Sequence, residues 1–263
     1  WLIPLTLFLA TCATTTLVGG PIYAAALLTI LACHEAGHYF QARRYGVPAS
    51  LPYFIPMPIS IIGTMGAVIA MDSRVKDRKA LFDIGISGPL AGLVPTLIFV
   101  LVGILQATKE PRTAGGILFG DPLLVQWLTQ WRFGPLPEGY DVSIGPLAVA
   151  GWVGLLFTSL NLIPIGQLDG GHVLYALLRH RAQPIAKSLL VGAVVGVLAA
   201  VVFLGKKEIG AWSLMLGLLI WMGPRHPPTD DDHVPLGAGR VVLGWLTLAF
   251  LIIGFTPNPF PQP

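Results

Sequence analysis

The sequence predicts an all-α polytopic membrane protein of six to seven transmembrane helices, with a small β-hairpin or re-entrant segment after the second. Two observations carry that class. Of the 263 residues, 54% are hydrophobic and only 11% are charged, whereas soluble domains average about 25% charged. The apolar residues are also gathered into seven segments, most of them near the ~20 residues that a membrane span needs. Gly (31) and Pro (23) are frequent, which membrane helices tolerate because neighbours satisfy the freed backbone groups. A net charge of +3 comes with no basic run of the kind that tracks nucleic acid, so no nucleic-acid partner is expected. The whole of 1–263 reads as one membrane-embedded domain, with a core at about 22–180 and C-terminal helices within 185–255.

Leu2 to Val18 is the first apolar segment. It lacks a basic flank and runs on into more apolar sequence, so it reads as a retained helix and not a cleaved signal. Gly19-Gly20-Pro21 predicts a tight turn, and Ile22 to Arg44 forms the second helix. Cys12 and Cys33 both lie in apolar stretches and read as buried thiols. Residues 45–80 differ. Pro52, Pro56 and Pro58 forbid a regular helix, and Gly63 to Ile69 has strand or hairpin character. Non-helical backbone at membrane depth needs cover from protein or a wet cavity, so Tyr53–Ala70 is either re-entrant or lies on the membrane surface. The charged stretch Asp72–Lys79 belongs in water.

The third helix is expected from Leu81 to Gln106, with Gly88 and Gly92 spaced for close helix packing. Residues 107–143 are the longest polar excursion. Within them Leu123–Trp131 suits a short interfacial helix, since Trp127 and Trp131 fall on one face. The fourth helix, Ser143 to Leu162, is broken by Pro164 and Gly166 and resumes after Asp169 to about Arg179. Ile185–Leu204, Ile209–Met222 and Val241–Phe255 complete the set. Calling the side reached after the second helix side A, that side holds Arg43, Arg44, Arg74, Lys76, Arg78, Lys79, Arg179, Arg181, Lys187, Arg225 and Arg240. Side B holds Lys109, Arg112, Arg132, Lys206 and Lys207. The bias makes side A cytoplasmic.

One motif carries chemistry. His34-Glu35-Ala36-Gly37-His38 lies in an apolar helix, and positions i and i+4 share a face, so the two imidazoles can hold one metal ion. Glu35 is placed to take a proton from a water at that metal. Ionisable groups at membrane depth are costly and functional by default. Catalytic zinc takes three protein ligands and leaves a position open. Asp169, at the helix break, is the leading third ligand, with a helix cap as its alternative reading. His172, one turn on, is a rival, and Asp83 a weaker one that can instead cap the third helix. Asn161 can hydrogen-bond a substrate backbone or a developing oxyanion, or equally support the break. His180, His226 and His233 read as ordinary loop histidines, and Asp230-Asp231-Asp232 as a solvated charge run.

His34-Glu35-x-x-His38, Gly85-Ile86-Ser87-Gly88-Pro89-Leu90-Ala91-Gly92 and Asn161-Leu162-Ile163-Pro164-Ile165-Gly166-Gln167-Leu168-Asp169-Gly170-Gly171 together resemble the site-2 protease family of intramembrane zinc metalloproteases. The segment Tyr53–Ala70 is similar to the chloroplast branch of that family and its bacterial relatives. The resemblance implies one Zn2+ held by His34, His38 and Asp169, with Glu35 as the base that activates water. It implies cleavage in or near the transmembrane segments of membrane-protein substrates. The location implied is a bacterial inner membrane or its equivalent, with the active site towards the cytoplasm and the hairpin segment close to it. An inactive membrane scaffold and an ion transporter using Asp169 are the rival readings; zinc content and turnover of a test substrate separate them.

Overall fold

The computed structural model describes residues 2–71, 75–111, 118–203, 205 and 212–261. Arg74, Arg112, Lys206 and Lys207, used above for orientation, lie outside these residues, as do Asp72 and Ile209. The described residues form two compact units. One draws on 1–72, 87–112 and 123–160, the other on 73–86, 113–122 and 161–263.

In the first unit, α1 (Leu2–Arg44) runs through both expected N-terminal helices. They meet at Gly20, whose φ of 81° and ψ of 175° are not helical. Glycine accepts that conformation freely, and Pro21 disfavours a helical residue before it. The tight turn is therefore a kink inside one continuous element. Cys12 and Cys33 are half-buried free thiols and not the buried ones expected.

The non-helical segment is a hairpin of β1 (Tyr53–Pro56) and β2 (Thr64–Val68). Tyr53 pairs with Val68, Phe54 with Ala67 and Pro56 with Thr64. The register slips between Phe54 and Pro56, where proline offers no N–H to the ladder. The turn end of the hairpin is fastened to the first half of α1. Thr14 Oγ1 donates to the Gly63 carbonyl at 2.7 Å, and Tyr23 Oη to that of Ile62 at 2.8 Å. A side chain at Gly63 would come within 2.9 Å of Thr15 Cα.

α2 (Arg78–Gln106) enters the first unit at Ser87. It is followed by β3 (Thr108–Pro111), α3 (Leu123–Phe133), β4 (Tyr140–Ser143) and α4 (Pro146–Asn161). β3 and β4 make a second two-stranded antiparallel sheet. The sequence reading has no strand there, because Thr108–Pro111 is exposed along its whole length and carries no apolar alternation. α3 is the short helix expected, with Trp127 and Trp131 both exposed. α1, α2 and α4 approach through small residues: a Cβ on Gly103 would lie 2.5 Å from Ala148 Cα, and one on Gly154 would lie 2.8 Å from Ile30 Cδ1.

The second unit contains α5 (Asp169–Leu178), a 3₁₀ turn (Arg179–Arg181), α6 (Ala182–Phe203), α7 (Ser213–Met222) and α8 (Ala238–Gly254). Ile165, Ala186, Leu190 and Leu219 form its buried cluster, with Ile163, Leu168, Val194 and Met215 against them. Among the described residues, three helical runs are long and apolar enough to cross a membrane: Leu2–Arg44, Arg78–Gln106 and Asp169–Phe203. α4, α7 and α8 are apolar but shorter. The expected six to seven spans thus correspond to three long runs and three short ones. The first two expected spans share α1, and the helix resumed at Asp169 runs on through the 3₁₀ turn into α6.

Candidate metal centre

The second half of α1 is apolar on every side, and its buried positions include Leu27, Ile30 and Leu31. Into this surface the sequence sets His34, Glu35 and His38, which are 6%, 4% and 7% exposed. The 3.6-residue period stacks the two histidines on one face. Their Nε2 atoms stand 3.2 Å apart, with the rings at 70° to each other. Two nitrogens each ~2.0–2.1 Å from a tetrahedral zinc are about 3.3–3.4 Å apart, so the pair already has nearly the spacing of two zinc ligands.

α2 makes room for the rings. A Cβ at Gly88 would overlap the His38 imidazole, and one at Gly92 would come 3.1 Å from His34 Cβ. Gly37 in turn sits against the Ser87 carbonyl. These glycines read as packing residues in the sequence, and they do pack. What they pack against is the histidine pair. The intervals match, 34 and 38 on one helix and 88 and 92 on the other, but spacing alone does not name the partner.

Asp169 is the first residue of α5, and the cap position before it is Leu168, with no side-chain cap bond. The turn is built on glycine: a Cβ at Gly170 or Gly171 would strike the carbonyl of Leu162 or Gly166. Asp169 is therefore not the helix cap considered above. His34 and His38 belong to the first unit and Asp169 to the second, and together they supply the donors of a possible metal-ligand set. Their donors, two imidazoles and a carboxylate, are the kind that zinc takes in catalytic sites, so the residues fit the metal.

The rival ligands are engaged elsewhere. Asp83 receives Arg240. His172 Nδ1 lies 2.6 Å from His226 Nε2. His226 departs from its reading as a loop histidine: it is 7% exposed, stacks on Tyr175 at 4.5 Å and 19°, and bonds the Pro227 carbonyl through Nδ1. Its proline-rich surroundings in the sequence gave no hint of burial. Burial pushes its pKa below the ordinary value, against the opposing pull of Pro227 and Asp232. Asp232 is not simply solvated either, since it accepts from Tyr175 Oη at 2.6 Å and from Thr229 Oγ1 at 2.7 Å. Burial works to raise its pKa, but those hydrogen bonds and the charge of Arg179 outweigh it and hold the carboxyl below its usual range. His180 and His233 are exposed, as expected. Asn161 ends α4, half-buried.

Residues 22–204 match the sequence profile of Peptidase family M50. Among curated proteins, the chain is 28% identical over 235 residues to the "Probable zinc metalloprotease EGY2, chloroplastic" of Oryza sativa subsp. indica, covering 88% of this chain and 42% of the relative. It is 31% identical over 241 residues to the "Probable zinc metalloprotease EGY1, chloroplastic" of Arabidopsis thaliana, covering 88% and 42%. It is 30% identical over 260 residues to the "Probable zinc metalloprotease EGY3, chloroplastic" of Oryza sativa subsp. indica, covering 90% and 42%. The chain thus spans less than half the length of these relatives. No solved structure matches.

Proposed function

The chain belongs to peptidase family M50, the site-2 protease family, and from that premise we propose that it is a zinc-dependent intramembrane endopeptidase. Its substrates are membrane proteins, cut in or beside their transmembrane segments. The observation that supports this most is the burial of His34, Glu35 and His38 within a long apolar helix. Such groups are expensive there unless they have a metal and a reaction to serve. His34, His38 and Asp169 are the residues that would hold the ion. Zinc, when bound, polarises a carbonyl and brings the pKa of water towards about 7.

The chain's own residues do the rest. Glu35 follows the first histidine in sequence and takes the proton of the attacking water, then returns it to the leaving amine. Asn161, at the end of α4, can donate to the substrate backbone or to the oxyanion. The excess of Lys and Arg on side A supports a site that faces the cytoplasm.

Glu35→Gln tests the reading, because glutamine keeps the size and hydrogen bonding of Glu35 but cannot accept the proton. The expected result is a protein that retains stoichiometric zinc and no longer cleaves a helical membrane substrate. Cleavage at the parent's rate would remove Glu35 as the base. Loss of zinc would assign it a structural role.

A further inference from the structure

The loop between α7 and α8 reaches back to α5 through two side chains, His226 and Asp232. His226 meets His172 at 2.6 Å and stacks on Tyr175 at 4.5 Å. Asp232 accepts the Tyr175 hydroxyl at 2.6 Å, and Thr229 donates to Asp232 at 2.7 Å. The loop is itself tied down. The backbone N–H groups of Asp230 and Asp231 donate to the Val75 and Lys76 carbonyls at 3.2 and 3.1 Å, and the backbone N–H of Arg78 donates to the Asp231 carbonyl at 3.3 Å.

The protons in this contact can be placed. A carbonyl only accepts, so His226 Nδ1, which faces the Pro227 carbonyl, carries a hydrogen. A neutral His226 then accepts at Nε2, and His172 Nδ1 donates to it. The bond is directional, and it fixes the plane of the His172 ring.

At 100° per residue, His172 and Tyr175 stand about 60° and 120° around α5 from Asp169, in the same sense. A grip on that flank sets the roll of the helix. A carboxylate oxygen ~5 Å from the helix axis moves by about 0.9 Å for each 10° of roll, while metal ligands tolerate ~0.2 Å. α5 has only 10 residues and no side-chain cap at its start, so its own first turn does little to hold that angle.

We propose that His226 is a positioning residue which, through His172 and Tyr175, sets the roll of α5 and so aims the Asp169 carboxylate. The inference rests on the reading of Asp169 as a metal ligand. It goes beyond that reading in giving the α7–α8 loop, which carries no ligand, a share in the metal's affinity.

The test is zinc affinity of the detergent-purified full chain, measured by competition with a chelator. His226→Ala should bind zinc about 10–100-fold more weakly, the range for losing a group that orients a ligand. The zinc-free variant should melt lower, since a buried stacked ring is lost, so affinity is read at a temperature where it is fully folded. His226→Gln, whose side-chain oxygen can accept from His172, should restore most of the affinity, whereas His226→Leu, which fills the same space without an acceptor, should not. An unchanged affinity in His226→Ala overturns the proposal, and so does a glutamine variant no tighter than alanine. Should His226→Ala fail to fold, Tyr175→Phe takes its place, and unchanged zinc binding there overturns the idea. His34→Ala and Asp169→Asn are the controls. If they keep zinc, the ligand reading falls; if they lose it while the His226 variants do not, only this inference falls.

Discussion

Arg240 on α8 grips the Asp83 carboxylate near the start of α2 with two hydrogen bonds, Nε to Oδ1 at 2.7 Å and Nη2 to Oδ2 at 2.8 Å. This bidentate pair explains why an acidic residue stands in an apolar helix without serving as a ligand. Asp83→Asn should keep zinc and cleavage. It should lose stability by about 1–3 kcal/mol, below the 3–5 for breaking a fully buried pair, because the arginine is partly exposed. Metal analysis and thermal melts of the purified variant check both halves. A variant that melts normally but has lost its zinc would return Asp83 to the ligand set.

Gly88 and Gly92 should not be equivalent. A methyl group at Gly88 overlaps the His38 ring, while one at Gly92 meets His34 Cβ at 3.1 Å, a contact that a small shift relieves. Gly88→Ala is expected to weaken zinc binding by about 10–100-fold, and Gly92→Ala by clearly less. The reverse order in a chelator titration would show that the histidine rings do not need this cradle.

His226 gives the protein a dependence on mild acid. Its folded pKa lies below the ordinary 6.5 because of burial, so just below pH 6.5 the unfolded chain binds more protons than the folded one. Stability is then complete above about 6.5 and falls as the pH drops through that window, by at most ~1.4 kcal/mol per pH unit for one group. The groups facing His226 are His172 and Tyr175 from α5 and Asp232 and Pro227 from its own loop. Asp232 acts separately, since its stabilisation is lost only below its ordinary 3.8. Zinc-free His226→Gln should lose less melting temperature than the parent between pH 7.5 and 5.5. Equal losses would exclude His226 as a source.

A helical substrate hides its peptide bonds, and unwinding it in lipid exposes backbone groups at several kcal/mol each. Among the described residues β2 pairs only with β1, so its other edge is a candidate for strand addition. Met65, 45% exposed on β2, tests this. Met65→Pro should leave zinc content unchanged and sharply reduce cleavage of a helical substrate. A substrate already unwound by helix-breaking residues should suffer less. Equal loss on both substrates, or none on either, would rule out edge pairing.

The possible zinc-binding group of His34, His38 and Asp169, and the proposal of Glu35 as base, could be read from the sequence because each segment carries its chemistry locally. His34, Glu35 and His38 lie within one turn and a half, and the glycines and proline around Asp169 announce a break. The Tyr53–Val68 hairpin was legible in part, since proline excluded helix there and Gly63 to Ile69 had strand or hairpin character. The role of Gly88 and Gly92 was not, because glycine spacing states that something approaches and not what. His172 and His226 are 54 residues apart, and no periodicity joins them. The sheet of β3 and β4 escaped because β3 is exposed throughout and β4 is only partly covered, so pairing leaves little hydrophobic trace. The pair of Asp83 and Arg240, 157 residues apart, is a tertiary fact of the same kind.

Two ligands on one turn of one helix also change how the ion leaves. When one imidazole lets go, the other still holds zinc within reach, and the free nitrogen is presented again at the same distance by the backbone. Its effective concentration is that of a tether matched to its span, which is where such values peak. On the proposed ligand set, rebinding would be favoured as long as residues 34–38 remain helical, and the metal would escape faster when either that turn of α1 or the aim of Asp169 loosens. The dissociation rate would then report local opening at the two helices, readable with a chromogenic chelator.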